Sequence, residues 1–246
     1  MAADALQAPR PSSVLLYGGT VLCLDARRTI HRQCEILVQR GVIASMGRSL
    51  TIMPGTRLLD VSGRLVIPGL IGVVTQLAGR SGAEAPEPIL PPDPKIAAAA
   101  ARAGATDALL SGVTTVCDVG TPGASAEVAA AVRSAIGGTG LRAVAPLDPG
   151  VEGAPILGLA GLSGDRDELA ASTIDAAAAL GLEAEIGSVE LGKWADLVVL
   201  TVDADVDSVE DEELFGLVAP GRAEVQHVLV AGSALVSDGV VRDAAV

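Results

Sequence analysis

Val66-Ile67-Pro68-Gly69-Leu70-Ile71-Gly72-Val73-Val74-Thr75-Gln76-Leu77 is the stretch on which the reading of this chain turns. It reads as a strand entered through a proline–glycine step. Period-two alternation along a strand sends Val74 and Gln76 to the same side. Two imidazoles at that spacing would grip one metal ion. Valine offers no lone pair, and a glutamine amide is a poor substitute for a neutral imidazole. The surrounding apolar run, Leu65 to Gly79, is broken by Pro68 and several glycines and is too short to span a bilayer.

Working outward, the texture changes twice. From about Ser12 to Ile67 the sequence reads as short strands with turns. Val14-Leu15-Leu16-Tyr17 leads into Gly18-Gly19, and Thr20–Leu24 into Asp25-Ala26, glycine pairs of this kind suiting hairpins. Cys34–Gln39, Val42–Met46 and Arg57–Val61 follow as strands of an antiparallel, sandwich-like unit. From Pro68 to Gly181 strand and helix alternate. Ile96–Leu110 is an alanine-rich helix before the β-branched Val113-Thr114-Thr115-Val116. Ser125 N-caps a helix from Ala126 to Ile136 that stops at Gly137-Gly138. Leu141–Ala145 is a further strand, Pro146–Gly164 a loop, and Asp165–Leu180 one last helix. This βαβ texture implies parallel pairing. Strands return from about Glu183: Asp196–Thr201, Gln226–Ala231 and Ala234–Val236, with a turn at Ser237-Asp238-Gly239.

Half of the 246 residues are apolar and 19% are charged, which predicts a packed core rather than disorder. Aromatics make up 1% (Tyr17, Trp194, Phe215), so Val, Leu, Ile and Ala must fill the interior. A formal charge of −13 disfavours phosphate backbones and anionic lipid, so neither nucleic acid nor a membrane is expected as partner. Of the 17 basic residues only Lys95 and Lys193 are lysines. Cys23, Cys34 and Cys117 form no C-x-x-C pair and no disulfide framework, and read as buried thiols. Met1 to Ser13 shows no basic segment followed by an apolar one, so no signal peptide and a cytoplasmic location are expected.

Four blocks, in order, are similar to the amidohydrolase superfamily, near its cytosine/guanine deaminase and chlorohydrolase-like members. The first joins Gly18-Gly19-Thr20-Val21 to Asp60–Ile71, where the family pattern runs V-x-P-G-L-I-D-x-H-x-H. The second is Leu110-Ser111-Gly112-Val113-Thr114-Thr115-Val116-Cys117-Asp118-Val119-Gly120, which resembles a second barrel strand and its preceding helix. The third runs from Ala179-Leu180-Gly181-Leu182 to Ile186–Leu200 and resembles I-G-S-L-x-x-G-x-x-A-D-L-V-V. The fourth, Val225–Gly232, is like V-x-x-V-x-V-x-G. The resemblance implies a (βα) barrel set between two halves of a β-sandwich, and metal-dependent hydrolysis of non-peptide C–N bonds.

This chain departs from that pattern at Gly72, Val74 and Gln76, the positions of the family's aspartate and two histidines. A complete barrel takes about 200–250 residues. Pro68 to Gly181 has room for roughly three or four βα units by the same measure. The family's later histidines and aspartate have no counterpart between Leu147 and Gly164, and Lys95 does not match its carboxylated lysine. The remaining histidines, His31 and His227, match no barrel site.

Asp118 ends the second predicted barrel strand, where sites of this architecture open. Asp118 and Thr75 are weak ligand-contact candidates. Glu152, Asp165 and Asp167 have no acid/base spacing. Asp203-Ala204-Asp205-Val206-Asp207 starts like a calcium loop but continues with Ser208 and Leu214 where Gly and Glu are needed. Gly120–Ser125 lacks the ending of a phosphate-binding loop. The expected architecture is therefore α/β plus β: a composite β-sandwich from 12–67 and 183–243, and a truncated (βα) barrel remnant over 68–182. The expected function is that of an amidohydrolase-family protein without catalytic residues, metal or cofactor, with Gly72, Val74 and Gln76 as vestigial positions. Its expected partner is a second copy or a full-length amidohydrolase homologue. Two alternatives stand beside it: an active metal-dependent hydrolase with relocated ligands, and a small-ligand binding module.

Overall fold

The computed structural model describes residues 13–74, 93–118, 125–144 and 158–242. The chain opens with β1 (Ser13–Leu22), β2 (Ile30–Gln39), β3 (Val42–Gly47), β4 (Arg57–Asp60) and β5 (Leu65–Pro68). The middle holds β6 (Leu70–Val74), α1 (Pro94–Leu110), β7 (Val113–Asp118), α2 (Ala126–Gly137), β8 (Arg142–Val144), α3 (Arg166–Ala171) and α4 (Ile174–Ala179). It ends with β9 (Leu197–Val202), β10 (Ala223–Val230), β11 (Ser233–Ser237) and β12 (Val240–Val241).

The strands from the beginning and the end form one sheet in the order β12-β11-β10-β9-β5-β1-β2-β3, with β4 also paired to β1. The two ends meet at an antiparallel seam, Leu65 opposite Leu200 and Pro68 opposite Leu197. Here the expectation of a hairpin at Gly18-Gly19 is corrected. β1 passes straight through the glycines, and its register with β2 slips on either side of Gly19. The positive φ of Gly18 (84°) turns the strand without reversing it. Its first half then pairs in parallel with β4, Leu16 opposite Leu59, and its second half with β5, Val21 opposite Val66. The sheet is mixed, not antiparallel. Gly19 also lies so close to Val61 that an added Cβ would stand 2.9 Å from its methyl.

β6, β7 and β8 make a second, parallel sheet in that order. α1 begins at Pro94, with Asp93 accepting from the Lys95 amide at 2.7 Å. It buries Ala97, Ala101, Ala105 and Leu109, a stripe at i, i+4 spacing. Ser125 caps α2 as the sequence predicts, accepting from the Val128 amide at 3.2 Å. Leu70 and Val116 share an apolar cluster with the buried residues of both helices, whereas Ile71 and Cys117 cluster with Ala176, Ala177 and Leu180 around α4. Strand alternation thus gives the small sheet two separately covered faces.

The single helix expected over Asp165–Leu180 is two, broken at Ser172-Thr173. The Ser172 hydroxyl donates to the Glu168 carbonyl at 2.8 Å and that of Thr173 to Leu169 at 2.7 Å. Such back-bonding competes with helix continuation, and Thr173 leaves the helical region (φ −132°, ψ −93°). The break turns the Ser172 carbonyl to the edge of β6, where it accepts from the Ile71 amide at 2.9 Å.

The two sheets are tied at Asp196. Its carboxylate accepts from Arg142 Nε at 3.1 Å and Nη2 at 3.0 Å, and from the Ala231 amide at 2.7 Å. Its carbonyl accepts from Gly69 at 2.8 Å. The side chains of Arg142 and Asp196 are only 11% and 3% exposed, so a lone survivor would be a buried charge without its partner. Asp196→Ala is expected to lower unfolding free energy by about 3–5 kcal/mol, measured by urea denaturation. A loss below about 1 kcal/mol, the range of a surface pair, would deny the junction its role.

Candidate functional site

In a barrel the C-terminal strand ends carry the chemistry, and here these are the ends of β6, β7 and β8. The register sets Gly72 opposite Val116 and Val74 opposite Asp118, with Val144 beside Cys117. Gly72 lies two residues along the strand from Leu70, which is fully buried in the cluster containing the α1 alanines. Asp118 therefore stands at the head of its strand as the sequence reading expects, directly across from Val74. Thr75, Gln76, Glu152 and Gly120–Ala124 lie outside the described residues.

Gly72 has no side chain and Val74 only carbon in its own. A catalytic divalent cation needs several N, O or S donors, and these two positions supply none. The donor chemistry of the strand does not fit such an ion. Among the described residues no three His, Cys, Asp or Glu side chains gather closely enough to hold a metal.

Just below the strand ends, Thr114 and Thr115 bury hydroxyls that find no partner among the described residues. Thr114 packs on the backbone of Gly69, where an added Cβ would stand 2.0 Å from its hydroxyl oxygen. That contact explains the glycine after Pro68: β5 turns into β6 against a side chain of β7.

The other polar candidates have structural partners. Asp165 caps α3, accepting from the amides of Asp167 (2.8 Å) and Glu168 (3.1 Å). Asp205 closes a turn on the Asp207 amide (3.1 Å) and the Ser208 hydroxyl (2.7 Å), and Asp203 pairs with Arg222 at 3.2 Å. Both histidines sit on the nine-stranded sheet, away from β6–β8. His31 is exposed on β2. His227 on β10 is 5% exposed, and its Nδ1 accepts from the Asp238 amide at 3.4 Å. Burial pushes its pKa below the ordinary 6.5; Asp238 opposes that shift, and Arg64 and Arg57 add to it.

A hollow absent from the sequence reading surrounds this histidine. It has a volume of about 490 Å³ and brings Arg57 and Arg64 together with Arg242. A bulge in β10 leaves Gln226 without a partner residue on β9, between the pairs Val225–Leu200 and His227–Val199. The Gln226 side-chain oxygen is then free to accept from Arg64 and from the Thr201 hydroxyl. No local sequence signal marks this meeting of residues 57–64 with 226–242.

Comparison with known proteins agrees with this frame. The model of the Amidohydrolase family matches residues 166–235. An imidazolonepropionase from Symbiobacterium thermophilum is 63% identical over 35 residues, covering 14% of this chain and 8% of that protein. A dihydroorotase from Syntrophus aciditrophicus is 35% identical over 65 residues, covering 26% of this chain and 15% of that protein. The chain thus matches only a small part of the length of these relatives. In solved structures, an atrazine chlorohydrolase from Arthrobacter aurescens complexed with zinc superposes with a TM-score of 0.73 at 15% identity, covering 93% of this chain and 96% of that one. An adenosine deaminase from Xanthomonas campestris with bound zinc gives 0.67 at 14% identity, covering 96% and 95%. At these identities the likeness is one of fold.

The depressed pKa of His227 has a definite linkage sign. Below 6.5 the unfolded chain binds a proton that the folded chain resists, so this residue's contribution is present above 6.5 and lost as pH falls. The Tm is therefore expected to drop between about pH 7 and pH 5, and His227→Gln to flatten that drop. An identical slope in the variant would assign the acid sensitivity elsewhere.

Proposed function

We propose that this chain, which belongs to the amidohydrolase superfamily, is a shortened, non-hydrolytic homologue that acts by binding a second copy or a full-length relative. Its frame is read as a composite β-sandwich from 12–67 and 183–243 carrying a barrel remnant over 68–182. The observation that carries this is the strand Leu70–Val74, which keeps the family's framing residues and has Gly72 and Val74 where donors would stand. Without them no water is activated by a bound ion, and C–N hydrolysis by that route has no nucleophile. Gln76, a neutral amide, does not restore a donor set. The buried cysteines suit a reducing, cytoplasmic setting.

Binding is favoured by the small sheet's edges. That of β6 is engaged by the Ser172 carbonyl, as described above. β8 pairs with β7 on one side and has no strand on the other among the described residues. Ala143 is exposed at its centre. A short edge with unpaired amides and carbonyls is a template for another strand.

Mass in solution and metal content test this reading together. The expected result is a dimer, or a complex with a co-expressed homologue, holding far less than one zinc, iron, manganese or nickel per chain. Ala143→Pro, which puts a residue without an amide N–H at the centre of β8, is expected to weaken association about tenfold or more. A stoichiometric metal with chelator-sensitive hydrolysis, or a compact monomer that ignores its relatives, would overturn the proposal.

A further inference from the structure

The hollow around His227 is built by both ends of the chain. Arg57 and Asp60 come from β4, Arg64 from the turn before β5, His227 from β10, Asp238 from the β11–β12 turn, and Arg242 follows β12. Three guanidiniums face two carboxylates, so the hollow is positive in a chain whose formal charge is −13. At about 490 Å³ it lies within the usual range of small-ligand pockets, roughly 300–1,000 Å³.

The side chains around it are unequally committed. Arg64 donates to Gln226 and, at 3.3 Å, to the Ser62 carbonyl, which fixes its direction. The carboxylate of Asp60 accepts from the Ser62 amide at 3.0 Å. Asp238 stands 4.0 Å from His227 Nε2, too far for a hydrogen bond, and its own side chain is 70% exposed. Arg57 and Arg242 form no ion pair among the described residues, and both are exposed. The His227 side chain is 93% buried, taking the complement of its 7% exposure, and its Nε2 has no hydrogen bond of ordinary length to Asp238. The site therefore holds two cations outside any ion pair among the described residues and a buried imidazole whose Nε2 is 4.0 Å from Asp238.

We infer that this hollow is a binding site for a small phosphate-type dianion, held by Arg57, Arg64 and Arg242 with His227 donating from Nε2. Guanidinium forks match the oxygens of phosphate. With His227 neutral the hollow carries one net positive charge, and with it protonated two, which a dianion neutralises. Asp60 and Asp238 at the rim repel anions and raise the requirement for the full set of cations. Because the ligand touches residues of both strand-rich ends, binding clamps the β5–β9 seam. The site lies apart from β6–β8, so it stands whether or not the reading of the barrel remnant does.

The test is titration of the full chain with inorganic phosphate near pH 6.5 at constant ionic strength, followed by calorimetry and by the His227 ring signals in NMR. Saturable binding of one phosphate per chain is expected, with a rise in Tm and an upward move of the His227 pKa. The exposed pair Arg57→Gln and Arg242→Gln, replaced together, should weaken binding about tenfold or more while leaving the fold intact. Acetate at equal concentration should leave the ring signals unmoved. Absence of saturation, an unchanged affinity in the double variant, or equal binding of acetate would each overturn the assignment. Association through β8 is scored separately by mass, so failure of one inference does not stand for failure of the other.

Discussion

A single buried carboxylate holds the two sheets in relation. Asp196 sits immediately before β9, and its two oxygens take both donors of Arg142 on β8 and the amide of Ala231 after β10. Its carbonyl fixes Gly69 at the entrance to β6. Burying such a charge is costly unless its lone pairs are used, and here the carboxylate's donors come from two distant parts of the chain. Arg142 also lies over the ring of Trp194, 5.8 Å from its centre. The Ala-Asp-Leu-Val-Val stretch is thus explained by architecture without appeal to chemistry at the strand ends.

From that junction the constraint passes into β6. The strand is pinned at its start by Asp196, along one side by β7, and on the other by the Ser172 carbonyl exposed where α3 gives way to α4. Gly69 lets it run against Thr114 with no side chain between. Apart from the backbone pairing with β7, none of these supports involves the positions at its far end. The framing of the strand and the donors it would display are physically separable, so Gly72 and Val74 can lose all metal-binding capacity while Pro68-Gly69-Leu70-Ile71 keeps its place. Uncharged residues there also remove the cost of holding several ligands of like charge together.

Much of the fold was readable from local chemistry. Ser125 as a cap, the α1 alanines, and Asp238-Gly239 with φ of 54° and 70° between β11 and β12 all depend on residues within one turn of each other. What could not be read depended on partners distant in sequence. Gly18-Gly19 has the composition of a hairpin, and only the arrival of β4 and β5 on the same side of β1 makes it a bend within one strand. Ser172-Thr173 has acceptable helix propensity, yet the acceptor needed by Ile71 and the hydroxyl back-bonds end the helix there. At the strand ends the reading placed Asp118 at the head of β7, where the strand ends, and Gly72 and Val74 on the strand before it, because strand patterning is a local rule. The hollow lined by Arg57, Arg64, His227 and Arg242 left no trace, since a bulge at Gln226 and a seam between distant segments create it.

The distribution of charge then separates two parts of the molecule. In β6 the positions of Gly72 and Val74 carry no side-chain nitrogen, oxygen or sulfur. The nine-stranded sheet instead gathers arginines around a histidine held neutral by burial and by their own field. A dianion bound beside such a histidine would cancel the repulsion that keeps the proton away. The geometry of that sheet, built from the two ends of the chain, depends on the β5–β9 seam and on Asp196.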